Sequence, residues 1–212
     1  MTVQALQRLI QIGEGLHIEF KKKIPEPERI AKEIIALANT KGGKILVGIE
    51  DDGTMCGVRD AEEELFALKE AMARHISPEV EHEIEVVPVS RKKEVLVLSI
   101  PNSHKKPHFL ISADGVRKIA FVRLEDKSIE ASKEMVRIMR DEQNPRDVQF
   151  EFGEKERKLM AYLDRYEKIT VSQFARLADI PPKQAAHTLV LLVRANILIL
   201  KPQEGEDFYL VA

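Results

Sequence analysis

Through the first two thirds of the chain, short apolar runs alternate with stretches whose apolar residues recur at helical spacing, which predicts a mixed α/β layer. Residues 18–22 read as a short strand. Ile30, Ile34, Leu37 and Ala38 mark an amphipathic helix over 26–40, which Gly42-Gly43 stops. Residues 45–49 form a near-continuous apolar strand, Asp51-Asp52-Gly53 a tight turn, and 55–58 the return strand of a hairpin. A helix over 61–76 follows, then a second hairpin, 84–90 with 95–100, around Arg91-Lys92-Lys93. Residues 104–107 read as a loop, 119–124 as a strand and 129–141 as a closing helix. Asn144-Pro145-Arg146-Asp147 breaks the pattern and sets the expected boundary between a domain at 1–144 and another at 145–212.

The tail has a different grammar. It predicts a helix over 154–166, a shorter one from about Thr170, a turn at Ile180-Pro181-Pro182 and a longer helix through Arg194. Two β runs, 197–201 and 208–211, follow. Three helices and then a hairpin is the winged-helix order.

Composition narrows the setting. The chain has 212 residues, 44% hydrophobic and 32% charged, enough apolar content for a packed core. No apolar run is long enough for a membrane span, and residues 1–15 lack the pattern of a signal peptide, so the expectation is a cytoplasmic protein with no membrane partner. The single cysteine, Cys56, excludes an internal disulfide and a multi-cysteine zinc site. With 33 basic and 35 acidic residues, the net charge of −2 puts any nucleic-acid binding on local patches.

The motifs Gly13-Glu14, Ile18-Glu19-Phe20-Lys21, Ala38-Asn39-Thr40-Lys41-Gly42-Gly43 and Leu46-Val47-Gly48-Ile49-Glu50-Asp51-Asp52-Gly53, with Lys106-Pro107 and Phe121-Val122-Arg123 downstream, resemble the Schlafen-type Alba-like domain over about residues 12–140. The resemblance implies an α/β domain that binds DNA or RNA. In the Schlafen nucleases it implies metal-dependent cleavage of structured RNA by three acids. Two of these fall on Glu14 and Glu19, and the third on Glu50 or Asp51. Glu14, Glu19 and Glu50 would then hold Mg²⁺ or Mn²⁺, which stabilises phosphate charge and activates water. Lys21, Lys23, Lys106 and Arg123 would hold substrate phosphates. The nucleases usually carry Asp at the Glu50 position, a zinc site and two lobes, so a complete site here is expected to need a homodimer.

The same residues have plainer readings. Glu19 and Lys21 suit a solvent-facing strand, Asp51-Asp52-Gly53 is ordinary turn chemistry, and the basic clusters suit solvated turns. Gly42-Gly43-Lys44 follows a helix and precedes a strand, the reverse of a phosphate-cradling loop. His104 and His108 read as loop residues.

In the tail, the stretch from Thr170 to Ala185 is similar to the helix-turn-helix of winged-helix regulators. Ala175 would pack the two helices together, Ile180 plug the turn and Pro181 start the recognition helix. Lys183, Gln184, His187 and Thr188 are its expected exposed residues, although Glu204, Glu206 and Asp207 on the wing would repel phosphate. The reading adopted is an α/β Schlafen/Alba-like domain followed by a winged helix, in a homodimeric DNA-binding transcriptional regulator. The alternatives are a divalent-metal-dependent endoribonuclease and a protein-interaction module.

Overall fold

The computed structural model describes residues 1–112, 115–143 and 151–212, so the Asn144–Asp147 break lies outside the described residues. The chain forms two compact units, Met1–Glu130 and Ala131–Ala212. The first unit runs α1 (Val3–Ile12), β1 (Ile18–Lys21), α2 (Pro27–Asn39), β2 (Gly43–Val47), α3 (Ala61–His75), β3 (Ile76–Ser77), β4 (Glu83–Ser90), β5 (Lys93–Ile100), β6 (Phe109–Ile111), β7 (Lys118–Ile119), β8 (Phe121–Leu124) and β9 (Lys127–Glu130). Its main sheet has the order β1-β2-β5-β4, with β1 parallel to β2 and the other pairs antiparallel. This is a mixed α/β architecture built on a mixed sheet.

The apolar run in β2 is continuous because both faces of the sheet are covered. Ile45 and Val47, with Leu96, Leu98 and Ile100 of β5, share a core with Ile30, Ile34, Leu37 and Leu68 of the overlying helices. The intervening Leu46, Val95 and Val97 point to the other face, where they pack with Ile18, Phe20 and Leu6 of α1. Helix α1, for which the sequence reading gave no element, carries its apolar residues Leu6, Leu9 and Ile10 at helical spacing, and Thr2 Oγ1 caps it by accepting from Ala5 N at 3.2 Å.

Gly42 and Gly43 turn α2 into β2 in a space that admits no side chain. Gly42 has φ +73°, and a Cβ there would lie 2.6 Å from Ile100 O and Asn102 N; one on Gly43 would lie 2.5 Å from His17 O. The glycines are thus a close-approach joint between helix and strand.

Three expected elements differ. Residues 55–58 form only isolated bridges, Ile49 with Met55 and Val58 with Glu94. The strand expected over 119–124 splits, β7 pairing with β6 while β8 pairs with β9. The helix expected from Ile129 starts later because Lys127–Glu130 is taken up by pairing with β8. In the outer strand β4, pairing with β5 shifts register between Pro88 and Ser90.

The second unit comprises α4 (Lys133–Gln143), α5 (Glu154–Tyr166), β10 (Lys168–Thr170), α6 (Val171–Ala178), α7 (Pro182–Arg194), β11 (Leu198–Lys201) and β12 (Phe208–Val211). Its antiparallel sheet has the order β10-β12-β11. Leu159, Leu163, Ile169, Phe174, Leu189, Leu192 and Tyr209 fill its core, and Ile138 of α4 belongs to the same cluster. The division therefore falls after Glu130, not at the expected 144/145. Helix α4 packs with the core of the second unit through Ile138 and Met135.

Candidate functional site

Strand alternation puts Glu19 on the sheet face opposite Ile18 and Phe20, beneath α2 and β8. There it is buried. Its Oε1 accepts from Lys21 Nζ, its neighbour two residues along the same face, and its Oε2 lies 2.9 Å from a guanidinium nitrogen of Arg123. The same Arg123 nitrogen donates to Glu33 Oε2 at 3.0 Å and to Ser128 Oγ at 3.3 Å, while the other terminal nitrogen donates to Gly15 O at 2.7 Å. Burial pushes the Glu19 carboxyl above the usual carboxylate range and Glu33 adds to this, while the Lys21 hydrogen bond and the charges of Lys21 and Arg123 pull the other way.

The other candidate acids lie elsewhere. Glu14 Oε1 accepts from Phe20 N at 2.8 Å and borders a cavity of about 790 Å³ whose walls include Leu9, Ile12, His17 and Ile100 but not Glu19. Glu50 pairs with Lys22 at 3.0 Å, and Asp51 sits exposed in the turn. Among the described residues no group of three or more His, Cys, Asp or Glu could hold a metal ion. Glu14, Glu19 and Glu50 do not fit Mg²⁺ or Mn²⁺ as placed, because Lys21 and Arg123 already neutralise Glu19 and the other two have separate partners.

Among the expected phosphate contacts, Lys23 is exposed, whereas Lys21 is tied to Glu19 and to Phe20 O at 2.9 Å. Lys106 Nζ donates to Thr40 O at 2.6 Å, the carbonyl at the end of α2. Arg123 is a correction: its side chain is 0% exposed and meets no solvent, so it cannot touch a phosphate. Sequence reasoning missed Glu33 and Ser128, since a polar position on an amphipathic helix and a serine in a hairpin carry no signal of their partner.

His108 is also more than a loop residue. It is fully buried, with Nδ1 2.8 Å from Pro78 O and Nε2 2.6 Å from Ser103 Oγ. The carbonyl only accepts, so Nδ1 carries the hydrogen and Ser103 donates to Nε2. Burial pushes its pKa below the usual 6.5, and the charges of Lys106 and Lys105 add to that. The folded protein thus binds this proton less readily than the unfolded chain. Stability held above about pH 6.5 should fall as the pH drops through that value toward the folded pKa. Urea midpoints at about pH 7.5 and about pH 5.5 should differ more for the native protein than for His108→Asn; equal differences would contradict this assignment.

In the second unit, α6 opens with a complete capping box: Gln173 N donates to Thr170 Oγ1 at 3.2 Å and Thr170 N to Gln173 Oε1 at 2.9 Å. Asp179, in the left-handed conformation, ends the helix, and Ile180 N returns to Ala175 O at 3.0 Å. Helix α7 then begins at Pro182, with Pro181 as its cap, one residue later than expected. Ala185, Thr188, Leu189 and Leu192 form its buried stripe, leaving Lys183, Gln184 and His187 exposed. Thr188 is thus the second correction: at 5% exposure it belongs to the core. On the loop between β11 and β12, Glu206 Oε1 accepts from Ser172 N at 2.8 Å, at the N-terminus of α6, and Asp207 is buried, accepting from Ser132 Oγ and from Gln203 N at 3.1 Å.

A mixed sheet with helices on both faces, its loops bound through a buried arginine, defines the first unit as an α/β domain. Residues 14–132 match the family model described as Schlafen, AlbA_2, and the chain belongs to that family. No curated protein is matched. Among solved structures, the DIP2311 protein of Corynebacterium diphtheriae is similar at 19% identity and TM-score 0.43, over 63% of this chain and 25% of that one. The N-terminal domain of a RecG-related protein from Nitrosomonas europaea is similar at 22% identity and TM-score 0.42, over 53% of this chain and 82% of that one. The chain spans a quarter of the length of the Corynebacterium protein.

Proposed function

We propose that this protein binds duplex DNA and acts as a transcriptional regulator, its second unit serving as a winged helix-turn-helix and its first adding phosphate contacts through exposed lysines such as Lys23. The observation that carries the reading is the exposed side of α7, where Lys183, Gln184 and His187 stand clear of the buried stripe at the start of a helix set by a capped helix-turn-helix. Lysine and glutamine there suit phosphates and base edges, and the positive end of the helix favours an anion. The wing is less hostile to DNA than its composition implies, because Glu206 is drawn to the end of α6 and Asp207 is buried. A cytoplasmic homodimer is the expected form, since a two-fold protein matches a two-fold operator.

Labelled duplex DNA and structured RNA, each with Mg²⁺ or Mn²⁺ and with chelator, test the reading by gel retardation and cleavage together. Retardation of the DNA without cutting, weakening steeply as salt rises, is expected. Absence of retardation, or metal-dependent cutting lost in Glu19→Ala, overturns it. Lys183→Ala should weaken DNA binding about fivefold and lower the slope of log affinity against log salt by about one, with an unchanged thermal melt because the side chain is exposed.

A further inference from the structure

Helix α4 enters the second unit as a surprise of the fold, and one of its residues reaches the exposed side of α7. The Arg137 guanidinium lies 2.9 Å from His187 Nδ1, across 50 positions of sequence. Arginine can only donate, so His187 Nδ1 must present its lone pair, and the ring hydrogen sits on Nε2. His187 is therefore a neutral ring whose outward nitrogen is a donor. Its pKa is held below the usual value by burial and by the charges of Arg137 and Lys155, in keeping with a neutral ring. Lys183 lies one helical turn before His187 on the same side of α7.

Acids border the cluster, with Glu134 one turn before Arg137 on α4. Asp141 lies 4.0 Å from Arg137 Nε and 3.4 Å from Arg194, and Glu156 lies 3.5 Å from Lys155 and is itself buried. Among the described residues, the second terminal nitrogen of Arg137 has no acceptor. The cluster thus offers an arginine fork edge, a histidine N–H and a lysine ammonium, all of them donors. A phosphate oxygen, which only accepts, is the group such a set fits.

We infer that Arg137 and His187 together form a backbone-phosphate clamp for duplex DNA, with Arg137 fixing the His187 ring so that Nε2–H donates to the phosphate that the guanidinium pairs with. This rests on the DNA-binding reading and adds α4 to the contacting surface. Because the clamp grips phosphate, it is indifferent to base sequence. Its two members also differ in charge: losing Arg137 removes a cation from the contact, whereas losing His187 removes only a hydrogen bond.

The test uses the full chain and a duplex pool of random sequence, with affinity measured by fluorescence anisotropy across salt. Arg137→Ala is expected to weaken binding about tenfold at about 0.15 M salt and to lower the salt slope by about one. His187→Leu should weaken binding about threefold with the slope unchanged, and His187→Gln, which keeps a donor, should bind within about twofold of native. Nitrogen-15 spectra of the imidazole at neutral pH should place the hydrogen on Nε2 in the native protein. Native binding by Arg137→Ala and His187→Leu, where Lys183→Ala binds weakly, overturns the clamp while leaving the DNA reading intact. A hydrogen on Nδ1 overturns it equally. Absence of binding by the native chain removes the DNA reading and the clamp with it.

Discussion

Arg123→Ala should destabilise the first unit by about 3–5 kcal/mol, seen as a lower urea midpoint. The guanidinium is wholly enclosed and joins four elements of sequence: Glu19 on β1, Glu33 on α2, Ser128 on β9 and the carbonyl of Gly15 before β1. Removing it leaves two carboxylates facing each other under α2, one of them in a poorly hydrated place, and opens a cavity where the side chain lay. Arg123→Lys should recover only part of the loss, because an ammonium cannot fork between Glu19, Glu33 and Gly15 O. Combining Arg123→Ala with Glu19→Gln should cost less than the sum of the two, since the second change removes one of the two carboxylate charges that lose the guanidinium. A loss below about 1 kcal/mol would mean that water reaches the cluster and that the arginine is not the hub described.

Asn39→Ala should cost about 3 kcal/mol, the second largest effect, for a reason of geometry rather than charge. The buried Asn39 amide donates to His108 O at 2.9 Å and to Phe121 O at 3.0 Å, and its oxygen accepts from His108 N at 2.8 Å. Truncation strands three backbone groups, the carbonyls of His108 and Phe121 and the N–H of His108. Asn39→Asp should not rescue it, because a carboxylate accepts from His108 N but has no hydrogen for the two carbonyls. Thermal melts of both variants decide this; an Asn39→Asp protein as stable as the native one contradicts it.

Both residues belong to motifs that the sequence offered as a family signature, and the structure gives those motifs a common place. Asn39 holds the 108 and 121 segments, Thr40 Oγ1 accepts from Arg123 N at 2.8 Å, Lys106 donates to Thr40 O, and Arg123 reaches back to Gly15. The family was legible because a backbone joint without room for a Cβ, and an amide with three partners, each dictate a residue type at a fixed point in the chain. Roles were harder to read. Spacing put Glu14 and Glu19 five residues apart, yet a turn and a strand send one carboxylate to a backbone N–H beside a cavity and the other under α2. What covers a strand face is decided by distant segments such as β8, which local pattern does not report. Helix α4 shows the same limit, because its apolar stripe announces a helix without saying which core receives it. Thr188 was readable, since Ala185, Thr188, Leu189 and Leu192 sit at positions i, i+3, i+4 and i+7 of one buried face.

The outer strand β4 sets how the first unit can meet other molecules. Among the described residues no strand pairs with its outer side, but Pro88 has no N–H to give, the register slips between Pro88 and Ser90, and Glu83 adds a carboxylate near its start. A second strand laid there would lose its zipper after a few residues. Edge-to-edge growth of one sheet onto another copy is therefore disfavoured at this flank.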